Sequence, residues 1–535
     1  MIKRNISTKW ISIIIAILSI IIGVIFNELE NSSKSNRIHS HKDYKHLSNI
    51  EYNKINSDNI DIEKFSTNMP IVVIDTKGEK IKNHIKWSIE EERYVEEDID
   101  PYTLGDISII YEEGKENTLS DKENVKSNMK IKMRGNTSSG FDKKQYLIKL
   151  LDEEGKEKKR EILGMGKESE WILNISGADQ SLIRNYMALN IAGEIMEYSP
   201  NIRFCEVFFK EDNDYIYNGV YLIMESIKRS EERVNISKYD SKFEESSFLL
   251  RRDRFDEKAV ILNNYGRENK LTTGYLEVKY PNKNDITDRT KNYIEEYINN
   301  LEKSLFSNDK KEFKKYKEYI DEKSFIDYFI INEFFANYDS GYHSTYMYKE
   351  VNEKIKMGPV WDFDMAIDNN KITKLKIDST AMHDAPWFRQ LLRDSSFVEK
   401  LINRYKELRK GILSEKNINN YIDETVKYIG NAQKRDKDKW GDFYEKLNKK
   451  YDLNEKYLTY KEEIDKVKFT LSEHGKWLDE NLDSLYQFSE FDTNEQEEGL
   501  KSVLLGRDDS VKIGNIVAIV FIIGFILSII IVQRE

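Results

Sequence analysis

A single cysteine, Cys205, in 535 residues leaves no partner for an intrachain disulfide and no set of thiolates for a zinc site. Six prolines and 24 glycines are too few for a collagen-like or proline-rich chain, and 12% aromatic residues are too many for a wholly disordered one. Excess positive charge is also lacking. Lys and Arg number 84 against 95 Asp and Glu, a net charge of −11 with both signs interspersed, so no nucleic-acid partner is expected. At roughly 150 residues per domain the length allows three or four domains, although the patterning reads as fewer.

The two ends depart from this polar average. Residues 10–26 (WISIIIAILSIIIGVIF) run for 17 positions without a charge, and residues 513–532 (IGNIVAIVFIIGFILSIIIV) for 20. As helices at about 1.5 Å per residue these reach roughly 25 and 30 Å, so both are expected to span a bilayer. A cleaved signal peptide is the alternative for the first run. Asn27-Glu28-Leu29-Glu30 follows it with no small-x-small site, which favours an uncleaved anchor. Lys3, Arg4 and Lys9 precede the run and Glu28 and Glu30 follow it, so the positive-inside rule puts the N-terminus in the cytoplasm. The expectation is a two-span cell-membrane protein with residues 27–512 outside the cytoplasmic membrane.

Between these ends the texture changes twice. Residues 28–65 are polar and without apolar periodicity, as a tether would be. Short β-branched runs then follow (PIVVID, DISIIY, MKIKMRG, YLIKLL), and they read as strands. One helix, SLIRNYMALNIAGEIM with Asp179 as its N-cap, interrupts them before the strands RFCEVFF and NGVYLIMES. From about Thr287 the pattern turns helical, in YIEEYINNLEKSLF, KSFIDYFIINEFFANYD and WFRQLLRDSSFVEKLINRYKELRKGIL. The expected fold is α+β, with a sheet-rich N-terminal lobe and a helical C-terminal lobe flanked by two transmembrane helices. Its layout is 1–27 anchor, 28–65 tether, 66–230 N-lobe, 231–490 C-lobe, 491–512 linker and 513–532 second span.

Four clusters have residues suited to chemistry. The first, Arg134-Gly135-Asn136-Thr137-Ser138-Ser139-Gly140, lies between two strands, where glycines let backbone N–H groups approach a phosphate; taken alone it is more readily an ordinary hairpin. Lys149, on the strand leaving that loop, is set where an ammonium could neutralise phosphates, but an alternating strand can equally point it at water. Asp339 follows a strongly apolar helix, where a carboxylate can orient a hydroxyl or accept its proton. In Gly358-Pro359-Val360-Trp361-Asp362-Phe363-Asp364 a strand-like run ends in two acids, and one or two carboxylates plus substrate phosphates suffice for Mg²⁺. Each cluster in isolation is more readily structural; their order along the chain is what points to a site.

These segments resemble the spore-coat protein H (CotH) kinase family, whose members have an atypical protein-kinase-like fold. The resemblance runs through RGNTSS, KKQYLIKL, WILNISGADQSLIRN, NGVYLIMES, KSFIDYFIINEFFANYDS, YMYKE, MGPVWDFDMA and WFRQLLRDSSFVEKLINRYKELR, roughly residues 66–440. It implies that Arg134, Gly135 and Asn136 belong to a nucleotide-covering loop and that Lys149 faces the phosphates. Glu225 would border the adenine pocket, Asp339 would be the catalytic-loop aspartate, and Asp362 would bind the metal in a motif that reads Asp-Phe-Asp. Asp364 is either a second metal ligand or a cap. The implied cofactors are ATP with Mg²⁺ or Mn²⁺, and the implied activity is γ-phosphoryl transfer to Ser or Thr of protein partners such as coat or envelope proteins. Five positions after Asp339, where kinases carry a metal-binding Asn, this chain has Ser344, which keeps a catalytically weak, kinase-like binding protein as the alternative. No glutamate is assignable as the partner of Lys149.

Overall fold

The computed structural model describes residues 62–493, except 89–92, 136, 370–376, 452 and 454–457. Its first part is built from β1 (Ile71–Asp75), a hairpin β2 (Ile85–Ser88) and β3 (Arg93–Glu96), then β4 (Thr103–Ile110), β5 (Val125–Arg134), β6 (Gln145–Leu151), a hairpin β7 (Arg160–Ile162) and β8 (Met165–Glu168), β9 (Glu170–Asn174), β10 (Ile202–Glu211) and β11 (Asp214–Glu225). Seven of these close into a barrel in the order β1-β10-β11-β9-β6-β5-β4. Closure follows from β1, which pairs antiparallel with β4 on one side and parallel with β10 on the other, leaving no free edge. Alternation sorts the side chains. On β5 and β6, Met129, Ile131, Tyr146, Ile148 and Leu150 join the main core, whereas Lys130, Lys132, Leu147 and Lys149 occupy the opposite face.

The parallel β1–β10 pair needs a crossover, and helix α1 (Arg184–Ile195) lies within it, with 11 of its 12 residues buried. Beyond the barrel, β12 (Phe248–Asp253), β13 (Val260–Ile261), β14 (Tyr275–Tyr280), β15 (Thr345–Lys349) and β16 (Lys356–Met357) form a second sheet in the order β13-β14-β12-β15-β16. The longer helices that accompany it are α2 (Asp288–Leu305), α3 (Glu322–Phe334), α4 (Ser395–Lys410), α5 (Glu415–Ile429), α6 (Ala432–Tyr451) and α7 (Tyr460–Asn481). Helix α6 docks on the barrel. Arg435 grips the buried Glu206 of β10 at 2.8 and 2.6 Å, and Lys143 bonds Asp436 at 2.6 Å.

Three expectations about the fold are corrected. The N-terminal lobe is a closed seven-stranded barrel, and the region expected to be helical carries a five-stranded sheet. Strand β15 was missed because TYMYK is buried at every position and therefore lacks the alternation of a half-exposed strand. The two-span, cell-membrane expectation is also corrected to what the described residues show: none of their helices is long and apolar enough to cross a bilayer. The most apolar long helix, α3, has 13 residues, about 20 Å against a hydrocarbon layer of roughly 30 Å. The apolar runs 10–26 and 513–532 lie outside the described residues, as does most of the 28–65 tether. Two local readings change as well. Helix α1 begins at Arg184 with Asp179 five residues before it, and residues 358–362 have no regular secondary structure where a strand was expected.

Candidate functional site

The polar face of the barrel carries a row of cations. Lys130, Lys132 and Arg134 stand at alternate positions of β5, and Lys149 of β6 lies opposite Lys130 in register, with Glu170 of β9 on its other side. Lys149 is therefore on the same face as Arg134. Its ammonium bonds Glu157 at 2.7 Å and approaches Glu170 at 3.5 Å, which supplies the carboxylate partner that no sequence signal assigned. Burial works against the Lys149 charge, but Glu157 and Glu170 more than offset it and hold the ammonium above its ordinary pKa. Glu170 in turn accepts from Ser226 at 2.5 Å. Arg134 bonds Gln145 at 3.2 Å and lies 5.8 Å from the Trp361 ring, with burial lowering its pKa. The loop it opens needs glycine at 135, where φ is +108° and a Cβ would collide with the Ser138 hydroxyl. Asn136 lies outside the described residues.

The acids come from two loops. Asp339 sits in the turn after α3, and Asp362 follows Trp361 with φ +68°, a left-handed conformation that aspartate tolerates better than most residues. Asp362 is open to solvent yet walled by protein on most sides, as the floor of a cleft would be. Burial and the nearby Asp339 charge raise its pKa, while the Ser344 hydroxyl, donating at 3.2 Å, and Arg134 oppose the rise. Asp339 is raised by burial and by Asp253, with Arg254 opposing. Asp364 is raised well above its ordinary value by burial and by the charge of Asp362.

Why these acids are held together is legible in the contacts beneath them. Asn185, on the first turn of α1, accepts the Phe363 N–H at 2.7 Å. Asn369 donates to the carbonyls of Ala178 at 3.0 Å and Asp364 at 2.6 Å. The Ile367 N–H reaches the Phe335 carbonyl at 3.0 Å, tying this loop to the end of α3. Asp179 organises the start of α1 from outside it, accepting the Arg184 N–H at 2.9 Å and its guanidinium at 2.5 Å.

The expected residues thus divide into groups. Arg134, Asp339, Asp362 and Asp364 are neighbours, and Lys149 lies farther along the same face, where Glu170 acts on both Lys149 and Arg134. The Glu225 side chain stands apart: it is fully buried and its oxygens accept from Tyr198 at 3.0 Å and from Asn201 at 2.9 and 3.0 Å. Sequence reasoning missed Lys132, Glu170, Asp253 and the positioning role of Asn185. The alternation in MKIKMRG could have found Lys132, because residues 130, 132 and 134 of one strand must share a face. Glu170 and Asp253 had no local signal.

Among the described residues no group of three or more His, Cys, Asp or Glu forms a ready-made metal cage. The charge of Asp362 nonetheless helps to raise the Asp364 pKa, and a cation bound between two such acids would relieve that repulsion. That donor set fits Mg²⁺ or Mn²⁺, which are satisfied by one or two carboxylates when phosphates and water fill the other positions.

No curated protein matches the chain. A family model, CotH kinase protein, matches residues 131–477, well over half its length. That span holds Lys132, Arg134, Lys149 and Glu170 of the barrel as well as Asp339, Asp362 and Asp364. This chain belongs to the CotH kinase family.

Proposed function

We propose that the protein is an ATP-dependent kinase that moves the γ-phosphoryl group to a Ser or Thr hydroxyl of a protein. The observation that carries this reading is the meeting of the Asp339 and Asp362 loops, where Asn337 donates to the Trp361 carbonyl at 3.4 Å and Ser344 to Asp362 at 3.2 Å, with Arg134 5.8 Å from the Trp361 ring at the end of a cationic strand. In the transfer, the acceptor oxygen bonds to the γ-phosphorus as the bond to the β,γ-bridging oxygen breaks. ADP leaves, and the hydroxyl proton passes to the Asp339 carboxylate, whose raised pKa suits it to receive one. Arg134 and Lys149 bring positive charge toward the phosphates, and Asn185 fixes the loop that carries Asp362. Asp362 and Asp364 would hold magnesium or manganese, which would supply further positive charge to the phosphate oxygens.

A second reading, a kinase-like binding protein with little turnover, is favoured by Ser344, whose hydroxyl is a weaker metal ligand than an Asn side chain. Incorporation of labelled γ-phosphate into casein or other protein acceptors decides between them. The full-length chain should transfer, and Asp339→Asn and Asp362→Asn should lose at least about a hundredfold in rate. Nucleotide-dependent stabilisation without transfer would favour the second reading, and equal transfer by all three proteins would overturn the mechanism.

A further inference from the structure

The three cations of β5 are not equivalent. Lys130 has Glu157 at 3.5 Å and Arg134 has Gln145 at 3.2 Å, while across the sheet Lys149 has Glu157 at 2.7 Å. Lys132, half-buried between them, has neither a hydrogen bond nor an ion pair; its ammonium lies only over the Tyr102 ring, 5.5 Å from the centroid. Burial lowers its pKa against the more distant charges of Glu96 and Glu170, so an anion in direct contact would stabilise the ammonium.

A second unfilled group stands beside it. His84 is 1% exposed, and both of its ring nitrogens lack a partner. The charges acting on that ring are Glu96, Lys132 and Lys258, so the unpaired ammonium and the unpaired imidazole belong to one neighbourhood. The segment before His84 is fixed there, because Lys82 donates its N–H to Thr103, the residue after Tyr102, at 3.3 Å.

Register decides where this neighbourhood lies. Lys132 pairs with Leu147, one step from the Lys130–Lys149 pair and one step from the Arg134–Gln145 pair. Alternate residues of a strand are about 6.6 Å apart, so Lys132 is midway along a track of roughly 13 Å that ends at Arg134, beside Asp362. A nucleotide's phosphate chain is shorter than that track and opposite in charge, so it can lie over Lys132 and Arg134 together.

We propose that Lys132 is a phosphate-binding residue, a second cation that contacts the polyphosphate of the bound nucleoside triphosphate while Lys149 remains committed to Glu157 and Glu170. This assignment rests on the kinase reading above and names a residue within it. The ammonium donates to phosphate oxygens in the gap between Lys149 and Arg134, and the ligand supplies a counter-charge in direct contact, which Glu96 and Glu170 do not.

The test is calorimetric titration of the full-length chain with MgATP, MgADP and adenosine, for wild type, Lys132→Met and Lys132→Arg. The expected result is a loss of about tenfold or more in MgATP affinity for Lys132→Met, a smaller loss for Lys132→Arg, and unchanged adenosine affinity. Unliganded thermal midpoints within a few degrees of wild type show that folding is intact. If wild type binds MgATP and Lys132→Met binds it equally well, the assignment is overturned and the kinase reading stands. If wild type binds no nucleotide, both are overturned. Equal losses of ATP and adenosine affinity would mark a structural role and also overturn it.

Discussion

Replacing Lys143 with methionine probes how the C-terminal helix α6 is held against the barrel. The Lys143 side chain is 0% exposed, and its ammonium donates to the Val220 carbonyl at 2.9 Å, to Asp436 at 2.6 Å and to the Tyr444 hydroxyl at 3.2 Å. Burial pulls the ammonium's pKa down, with Asp436 opposing, so the charged pair exists only because its partners are all in place. Methionine fills much of the volume but leaves Asp436 charged in a dry site. Removing one member of a buried pair costs about 3–5 kcal/mol; because Asp436 keeps the Val220 N–H at 2.7 Å and the Tyr444 hydroxyl at 2.7 Å, a loss of about 3 kcal/mol is expected. The double change Lys143→Met with Asp436→Asn removes the stranded charge and should recover about 1–2 kcal/mol of it. Urea unfolding followed by tryptophan fluorescence measures both, with Trp440 of α6 reporting locally through its bond to the Asn218 carbonyl at 2.8 Å. A single-variant loss below about 0.5 kcal/mol, or a double variant no more stable than the single, would refute the reasoning.

Further predictions follow from the acids and their supports. Asp362→Asn should raise the thermal midpoint at pH 8 while reducing transfer. A carboxyl whose pKa is raised in the fold destabilises when ionised, so the gain should be full above the folded pKa and vanish as pH falls below the unfolded one. No difference between pH 4 and pH 8 would contradict this. Ser344 has φ +48°, a conformation asparagine adopts more readily than serine, so Ser344→Asn should leave urea stability unchanged or higher and raise the transfer rate in Mg²⁺, measured by phosphate release into acceptor protein. Asn185→Leu removes the acceptor of the Phe363 N–H, and kcat should fall about tenfold to a hundredfold with the KM for ATP nearly unchanged. An equal fall in kcat and rise in KM would argue against a purely positioning role.

The site was partly legible before folding was considered. Asp339, Asp362 and Asp364 stood out because they end apolar segments in order behind a glycine-containing loop and Lys149. Glu225 was equally visible as the end of a strand, yet its oxygens are consumed by Tyr198 and Asn201, contacts that depend on where another loop packs. Helix α1 was found by its period, but its start was placed early because Asp179 acts on Arg184 through a loop rather than as an N-cap.

Alternation along β5 and β6 is a property of the chain itself: the pleat alone dictates that Lys130, Lys132 and Arg134 share a face, whatever the strand pairs with. Which of those cations is neutralised is a property of register. Lys149 meets Glu170 because β6 and β9 align at that step, and Lys132 meets no carboxylate because its partner in the same ladder is Leu147. Barrel closure through β1 and the meeting of Asp339 with Asp362 likewise depend on pairs far apart in sequence, and only tertiary contacts could decide them.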